Sequence, residues 1–155
     1  MKTPRLKKIS FIFLFLAICF VSKAQIENPV EWEFDSKKVS GTTYEIHITA
    51  KLDRGWHIYS QFTPDGGPIA TTITFNKNPL ITLTGKAKEV GKLEQKHEPL
   101  FGVDVKQFSG KVAFIQTVTV KGNAKTAISG AVEFMVCDDE RCLPPAIEKF
   151  SLKLN

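Results

Sequence analysis

Tyr44, Ile46, Ile48, Ala50 and Leu52 alternate with Glu45, His47, Thr49 and Lys51, the period of two that a strand with one buried face requires. The same pattern places a first strand around Trp32 and Phe34 and β-rich runs at 71–75, 80–84, 112–120 and 127–136. Phe150, Leu152 and Leu154, separated by Ser151 and Lys153, form a last alternating strand. Turn signals punctuate these runs: Asp65-Gly66-Gly67-Pro68, Asn76-Lys77-Asn78-Pro79, Ser109-Gly110 and Lys121-Gly122-Asn123. No stretch carries a sustained apolar stripe at helical spacing. Seven or more short strands at this spacing predict an all-β fold, an immunoglobulin-like antiparallel β-sandwich, with a closed barrel as the competing architecture. There is no internal repeat, low-complexity tract or linker, so residues 25–155 read as a single domain. Two stretches, 55–70 and 86–110, escape the alternation and read as long irregular loops. Both are rich in aromatics, His and Pro, and loops on a rigid β scaffold are where function concentrates.

The N-terminus is different in kind. Lys2, Arg5, Lys7 and Lys8 precede an almost unbroken apolar run from Ile9 to Val21, and Ser22-Lys23-Ala24 follows with small residues. This is the build of a cleavable secretory signal over 1–24, with cleavage before Gln25. The apolar run falls short of the roughly 18 residues that a membrane-spanning helix needs. Leu16-Ala17-Ile18-Cys19 resembles a lipid-attachment box, but Ile18 occupies a position that calls for a small residue.

Removing the signal changes the charge balance. Five of the 21 Lys and Arg lie in residues 1–24 and none of the 16 Asp and Glu does, which leaves a formally neutral mature chain. The basic pI therefore belongs to the targeting segment, and it argues for neither nucleic acid nor a membrane surface as partner. The expected mature protein is periplasmic, does not span a membrane, and is a monomer.

Two of the three cysteines survive processing, Cys137 and Cys142. They flank the polar turn Asp138-Asp139-Glu140-Arg141, after the apolar Phe134-Met135-Val136 and before Leu143-Pro144-Pro145. An exported chain meets an oxidising compartment, where such a pair is permitted to form a disulfide. One reading is structural. Closing so short a loop is worth only about 2 kcal/mol in the chain-entropy model, against nearly 5 for a loop of about 100 residues. The other reading is a redox couple. A zinc site needs about four ligands, whereas this chain offers two cysteines and the scattered His47, His57 and His97. No metal or other cofactor is expected. A Cys-His hydrolase would need His57 or His97 as base, and nothing else points to acyl transfer.

Three segments, in this order, resemble the N-terminal periplasmic domain of the thiol:disulfide interchange protein DsbD, also described as the disulfide bond corrector domain family. Gly55-Trp56-His57-Ile58-Tyr59-Ser60-Gln61 is similar to its aromatic segment, His97-Glu98-Pro99-Leu100-Phe101-Gly102 to its cap loop, and Val136-Cys137 through Cys142-Leu143-Pro144-Pro145 to its active-site turn. Four residues separate the cysteines here, where the better-known members have five. The resemblance implies an immunoglobulin-like sandwich whose Cys137 and Cys142 cycle between dithiol and disulfide. It implies a thiol-disulfide oxidoreductase of the protein-disulfide reductase type. Electrons would pass from a membrane-linked thioredoxin-like donor to periplasmic thioredoxin-fold acceptors, in disulfide correction and cytochrome c maturation. Cys142 would form mixed disulfides with partners and Cys137 would resolve them. Glu98 to Gly102 would form the cap, with either Leu100 or Phe101 as the lid. The expectation is a stand-alone form of this domain, without the family's membrane and C-terminal thioredoxin domains.

Elementary electrostatics fits such a relay. Asp138, Asp139 and Glu140 outnumber Arg141, so the local field disfavours a thiolate. Trp56 is assigned to the core, and His57 and Tyr59 to the site lining. The rival is a non-catalytic exported β-sandwich that binds a protein or ligand through its loops and keeps a structural disulfide.

Overall fold

The computed structural model describes residues 27–122 and 124–155. The targeting segment expected at 1–24, Cys19 included, lies outside the described residues. Among the described residues nine strands run in chain order: β1 Val30–Ser40, β2 Thr43–Leu52, β3 His57–Tyr59, β4 Thr72–Phe75, β5 Ile81–Glu98, β6 Val103–Val120, β7 Thr126–Phe134, β8 Val136–Cys137 and β9 Ala146–Leu154. Every pairing is antiparallel. One sheet has the order β1-β2-β6-β3-β8, with β5 on the other edge of β6, and a second has the order β4-β7-β9. The fold is an immunoglobulin-like antiparallel β-sandwich, not a closed barrel. No helix among the described residues is long and apolar enough to cross a membrane.

The register explains the sequence pattern. Ala50 lies between Trp32 and Val112, and Ile48 between Phe34 and Phe114, so the apolar members of three strands form layers on one face. That face meets Ile128, Val132, Phe134, Phe150 and Leu154 of the other sheet. Aromatic rings join the sheets: Trp32 meets Phe134 edge-on with centroids 5.0 Å apart, and Phe34 stacks on Phe150 at 5.1 Å. Such offset and edge contacts add to the area they bury. Gly130 allows Phe150 to approach, because a Cβ there would fall 2.8 Å from the ring and 2.2 Å from the Thr74 carbonyl.

The stretch 86–110, expected to be an irregular loop, is instead most of a long hairpin. β5 and β6 pair from Ile81↔Val120 to Glu98↔Val103, with register shifts between Thr84 and Lys88 and between Gly91 and Leu93. Two causes hide the hairpin from the pattern. β5 is an edge strand with solvated charges on both sides, as edge strands commonly are. Each irregularity also resets the period of two. The stretch 55–70 likewise contains a strand, β3. It is entered by a turn in which Trp56 N–H donates to the Asp53 carbonyl at 3.1 Å, with Gly55 at a left-handed φ of 91°.

β6 places the site. Along one edge it pairs first with β3, through Gln107–Ser109, and then with β2, through Lys111–Thr119. β3 in turn carries β8, so both cysteines hang at one end of the large sheet, beside the tip of the β5–β6 hairpin.

Candidate functional site

β7 breaks at Met135, and β8 resumes for only two residues before the chain turns at Asp138. Asp138 builds this turn. Its Oδ1 accepts the backbone N–H groups of Glu140 and Arg141, both at 2.8 Å, and its own N–H donates to the Arg141 carbonyl at 2.9 Å. Those two backbone donors hold its carboxyl below the usual carboxylate range. Leu143 N–H returns to the Val136 carbonyl at 2.9 Å, and Cys137 and Cys142 face each other as an isolated bridge. Their Cα atoms are 4.0 Å apart and the sulfurs form a disulfide.

The two sulfurs have unequal surroundings. Cys137 is 0% exposed and packs with Tyr59 and Val105 in a small cluster separate from the main core. Cys142 is partly exposed and is followed by the exposed Pro144 and Pro145. Cys142 is thus the more exposed residue of the pair.

Beneath the pair lies a buried polar network. His57 stands opposite Cys137 in the β3–β8 register. Tyr59, two residues on and on the same face, donates its Oη–H to Glu98 Oε2 at 3.0 Å. His57 Nε2 lies 3.1 Å from Tyr59 Oη and 3.3 Å from Glu98 Oε2. All three side chains are buried. Burial and then the neighbouring Glu98 carboxylate push the Tyr59 phenol far above its ordinary value, so it keeps its proton. Burial lowers the His57 pKa, outweighing the opposite pull of Glu98. The imidazole is thus neutral at neutral pH.

Glu98 also closes the hairpin tip. Its carbonyl accepts Phe101 N–H at 3.2 Å and Gly102 N–H at 2.8 Å, with Gly102 at a φ of 67°. Leu100 and Phe101 on this turn are 47% and 38% exposed. The structure thus gathers Cys137, Cys142, His57, Tyr59 and Glu98 into one site and places Leu100 and Phe101 at the exposed tip beside it. Trp56 belongs to the main core. His47 is paired with Glu45 on β2, and His97 with Asp104 across the hairpin at 3.0 Å. Among the described residues, no group of three or more His, Cys, Asp or Glu side chains is arranged to hold a metal ion.

Several contributors gave no signal in the sequence. Lys96 Nζ joins Asp139 at 3.0 Å, tying β5 to the cysteine turn. The Arg141 guanidinium lies 5.7 Å from the Trp56 ring centroid and pairs with Glu27. Lys96 brings a cation to the turn and Glu27 brings an acid, so the local formal charge stays as acidic as the sequence gives it. Only the Asp138 cap was open to sequence reading, since Asp at the first position of a tight turn has a known geometry.

No curated protein sequence matches this chain. Solved structures do. The N-terminal periplasmic domain of ScsB from Proteus mirabilis aligns with a TM-score of 0.54 at 14% identity, covering 83% of this chain and 47% of that one. This chain thus spans about half the length of that domain. The reduced DsbD N-terminal domain from Neisseria meningitidis gives a TM-score of 0.57 at 13% identity, over 86% of this chain and 91% of that one. The complex of the DsbD and PilB N-terminal domains from Neisseria meningitidis gives a TM-score of 0.53 at 12% identity, over 84% of this chain and 87% of the matched one. At these identities the likeness establishes the fold. The family model for the thiol:disulfide interchange protein DsbD, N-terminal, matches residues 24–154, with Cys137 and Cys142 inside the match, and the chain belongs to that family.

Proposed function

We propose that this protein is a periplasmic thiol–disulfide relay that passes electron pairs through the Cys137–Cys142 couple to thioredoxin-fold partners. One observation carries the reading: a disulfide on a short capped turn, with Cys137 sealed and Cys142 partly open. That asymmetry suits exchange, in which one sulfur is reached by a partner and the other returns to expel it. Cys142 forms the mixed disulfide and Cys137 resolves it. Pro144-Pro145 stiffens the chain beyond Cys142 and holds it on a fixed edge. The solved complex of a family member with a PilB domain supports a protein as the partner. A membrane-linked donor would re-reduce the pair. Periplasmic residence rests on the signal-like N-terminus and on the ScsB domain described as periplasmic. The tip residue Leu100 or Phe101 acts as a lid that covers the pair between encounters. The domain at 25–155 acts as one unit.

Trapping tests the roles. With a reduced-to-oxidised pair of thioredoxin-fold proteins as bait, Cys137→Ala accumulates a mixed disulfide through Cys142, read by non-reducing electrophoresis and mass spectrometry. Cys142→Ala accumulates little. Equal trapping by both variants removes the role assignment. A couple more reducing than about −300 mV would mark a structural bond and favour the non-catalytic binding module instead.

A further inference from the structure

The redox reading leaves a proton to be accounted for. Once Cys142 is joined to a partner, Cys137 must lose its S–H proton before it can attack. Cys137 is wholly buried against Tyr59 and Val105, so bulk water cannot take that proton directly. An apolar setting also opposes an unassisted thiolate. Some group within the site has to accept it.

The buried network holds one suitable acceptor. Tyr59 donates its only proton to Glu98, so its oxygen accepts from His57, and the imidazole carries its hydrogen on Nε2. Nδ1 makes no hydrogen bond among the described residues and keeps its lone pair. Directly opposed residues on antiparallel strands have Cβ atoms roughly 5 Å apart, and His57 and Cys137 are such a pair. An imidazole and a thiol span that gap directly or through one water. We propose that His57 Nδ1 is the proton acceptor for Cys137, held in the required tautomer by Tyr59 and Glu98.

This inference rests on the relay reading of Cys137 and Cys142 and gives the resolving step its chemistry. The Cys137 proton moves to His57 Nδ1. The Cys137 sulfur attacks Cys142 Sγ, the Cys137–Cys142 bond forms, and the bond between Cys142 and the partner breaks. Its electron pair leaves on the partner's sulfur, which takes a proton from solvent. The partner is reduced by two electrons and this protein is oxidised by two. The imidazolium so formed faces the Glu98 carboxylate at 3.3 Å. Of the other groups around it, Asp139 on the cysteine turn favours the cation, Lys96 on β5 opposes it, and His57 itself lowers the Asp138 pKa. Burial keeps His57 neutral at rest and so able to accept. Tyr59 and Glu98 act as positioning residues.

One stoichiometric addition of dithiodipyridine to the reduced protein separates the steps. Cys142 releases the first thiopyridone, and ring closure by Cys137 releases the second in a phase independent of concentration. In the wild type this second phase slows as the pH falls through the His57 pKa, which lies below the ordinary 6.5. His57→Gln keeps a polar side chain facing Tyr59 and Glu98, and should slow the second phase about 100-fold at neutral pH. It should also abolish the break in the pH profile. Glu98→Gln should move the break to lower pH, a shift that loss of packing alone would not produce. His57→Phe guards against a rescue by the glutamine amide. A second phase with wild-type rate and pH profile in both His57 variants overturns the assignment and leaves the relay standing. A wild-type protein that releases only one thiopyridone overturns the relay itself.

Discussion

The two halves of β6 face different surroundings and obey different rules. From Val112 to Val120 the strand alternates between the shared core and solvent, with Val112, Phe114, Val118 and Val120 buried in one contiguous cluster. From Val103 to Ser109 the burial is patchy: Asp104 and Ser109 are exposed, and Val105, Gln107 and Phe108 are buried, on two different faces. Phe108 points into the main core, while Val105 and Gln107 lie with Tyr59 on the side that holds Cys137. The first half rests mainly on apolar area, and its buried Gln116 donates Nε2–H to the Thr84 and Thr117 carbonyls. The second carries buried polar groups, which cost free energy unless each finds a partner. Gln107 Oε1 is buried there without one, while His57, Tyr59 and Glu98 satisfy each other. Trp32 Nε1 is likewise unpartnered in the main core, but only at this end do buried polar side chains gather beside the disulfide.

Stability measurements should expose that division most strongly in the core half. Phe114 is fully buried, opposite Ile48 and against Trp32. Phe114→Ala should cost about 3–5 kcal/mol, the range for deleting a buried ring, read as a fall in the urea midpoint. A loss below about 1 kcal/mol would mean that the layer repacks, and the contrast between the two halves would then lose its basis.

The contrast also accounts for what the sequence revealed. β2 and β9 were legible because each has one wet face and one dry face, so side chains report the fold directly. β5 was not legible: both its sides are solvated, and two irregularities reset its phase. β3, with all three residues buried, offers no alternation at all. At the site, the cysteine pair and its turn stand out as a motif. His57, Tyr59 and Glu98 could be placed near the cysteines only through resemblance, because 39 positions separate Tyr59 from Glu98. Their hydrogen bonds follow from the β3–β6–β5 pairing, which no local pattern encodes. Lys96 and Arg141 read as ordinary surface charges until the hairpin brings one to Asp139 and the turn lays the other over Trp56.

Reducing the disulfide should have a smaller effect than opening the core. The bridge spans only five positions, so its loss should cost about 2 kcal/mol. The main core makes no use of it, and the reduced domain should stay folded with a cooperative urea transition. Unfolding of the reduced protein at room temperature would reverse the comparison, making the redox end the keystone of the fold and favouring a structural disulfide.

The smallest stability effect belongs to the cap turn. Leu100 and Phe101 are exposed by about half and by more than a third. The turn that carries them is held by backbone bonds to the Glu98 carbonyl and by Gly102, neither of which depends on their side chains. Surface substitutions of this kind usually change stability by no more than about 0.5 kcal/mol each, so Leu100→Ala with Phe101→Ala should leave the urea midpoint nearly unchanged. Its effect should appear in kinetics. A large apolar side chain swinging over Cys142 would exclude a small oxidant and yield to a docking partner. The double variant should therefore be oxidised faster by a small disulfide than the wild type. Its reduction potential should stay the same, because access changes while the relative stability of dithiol and disulfide does not. The single variants then show which side chain is the lid. An unchanged oxidation rate in the double variant removes the lid, and a large drop in the urea midpoint would mean that the tip belongs to the core after all.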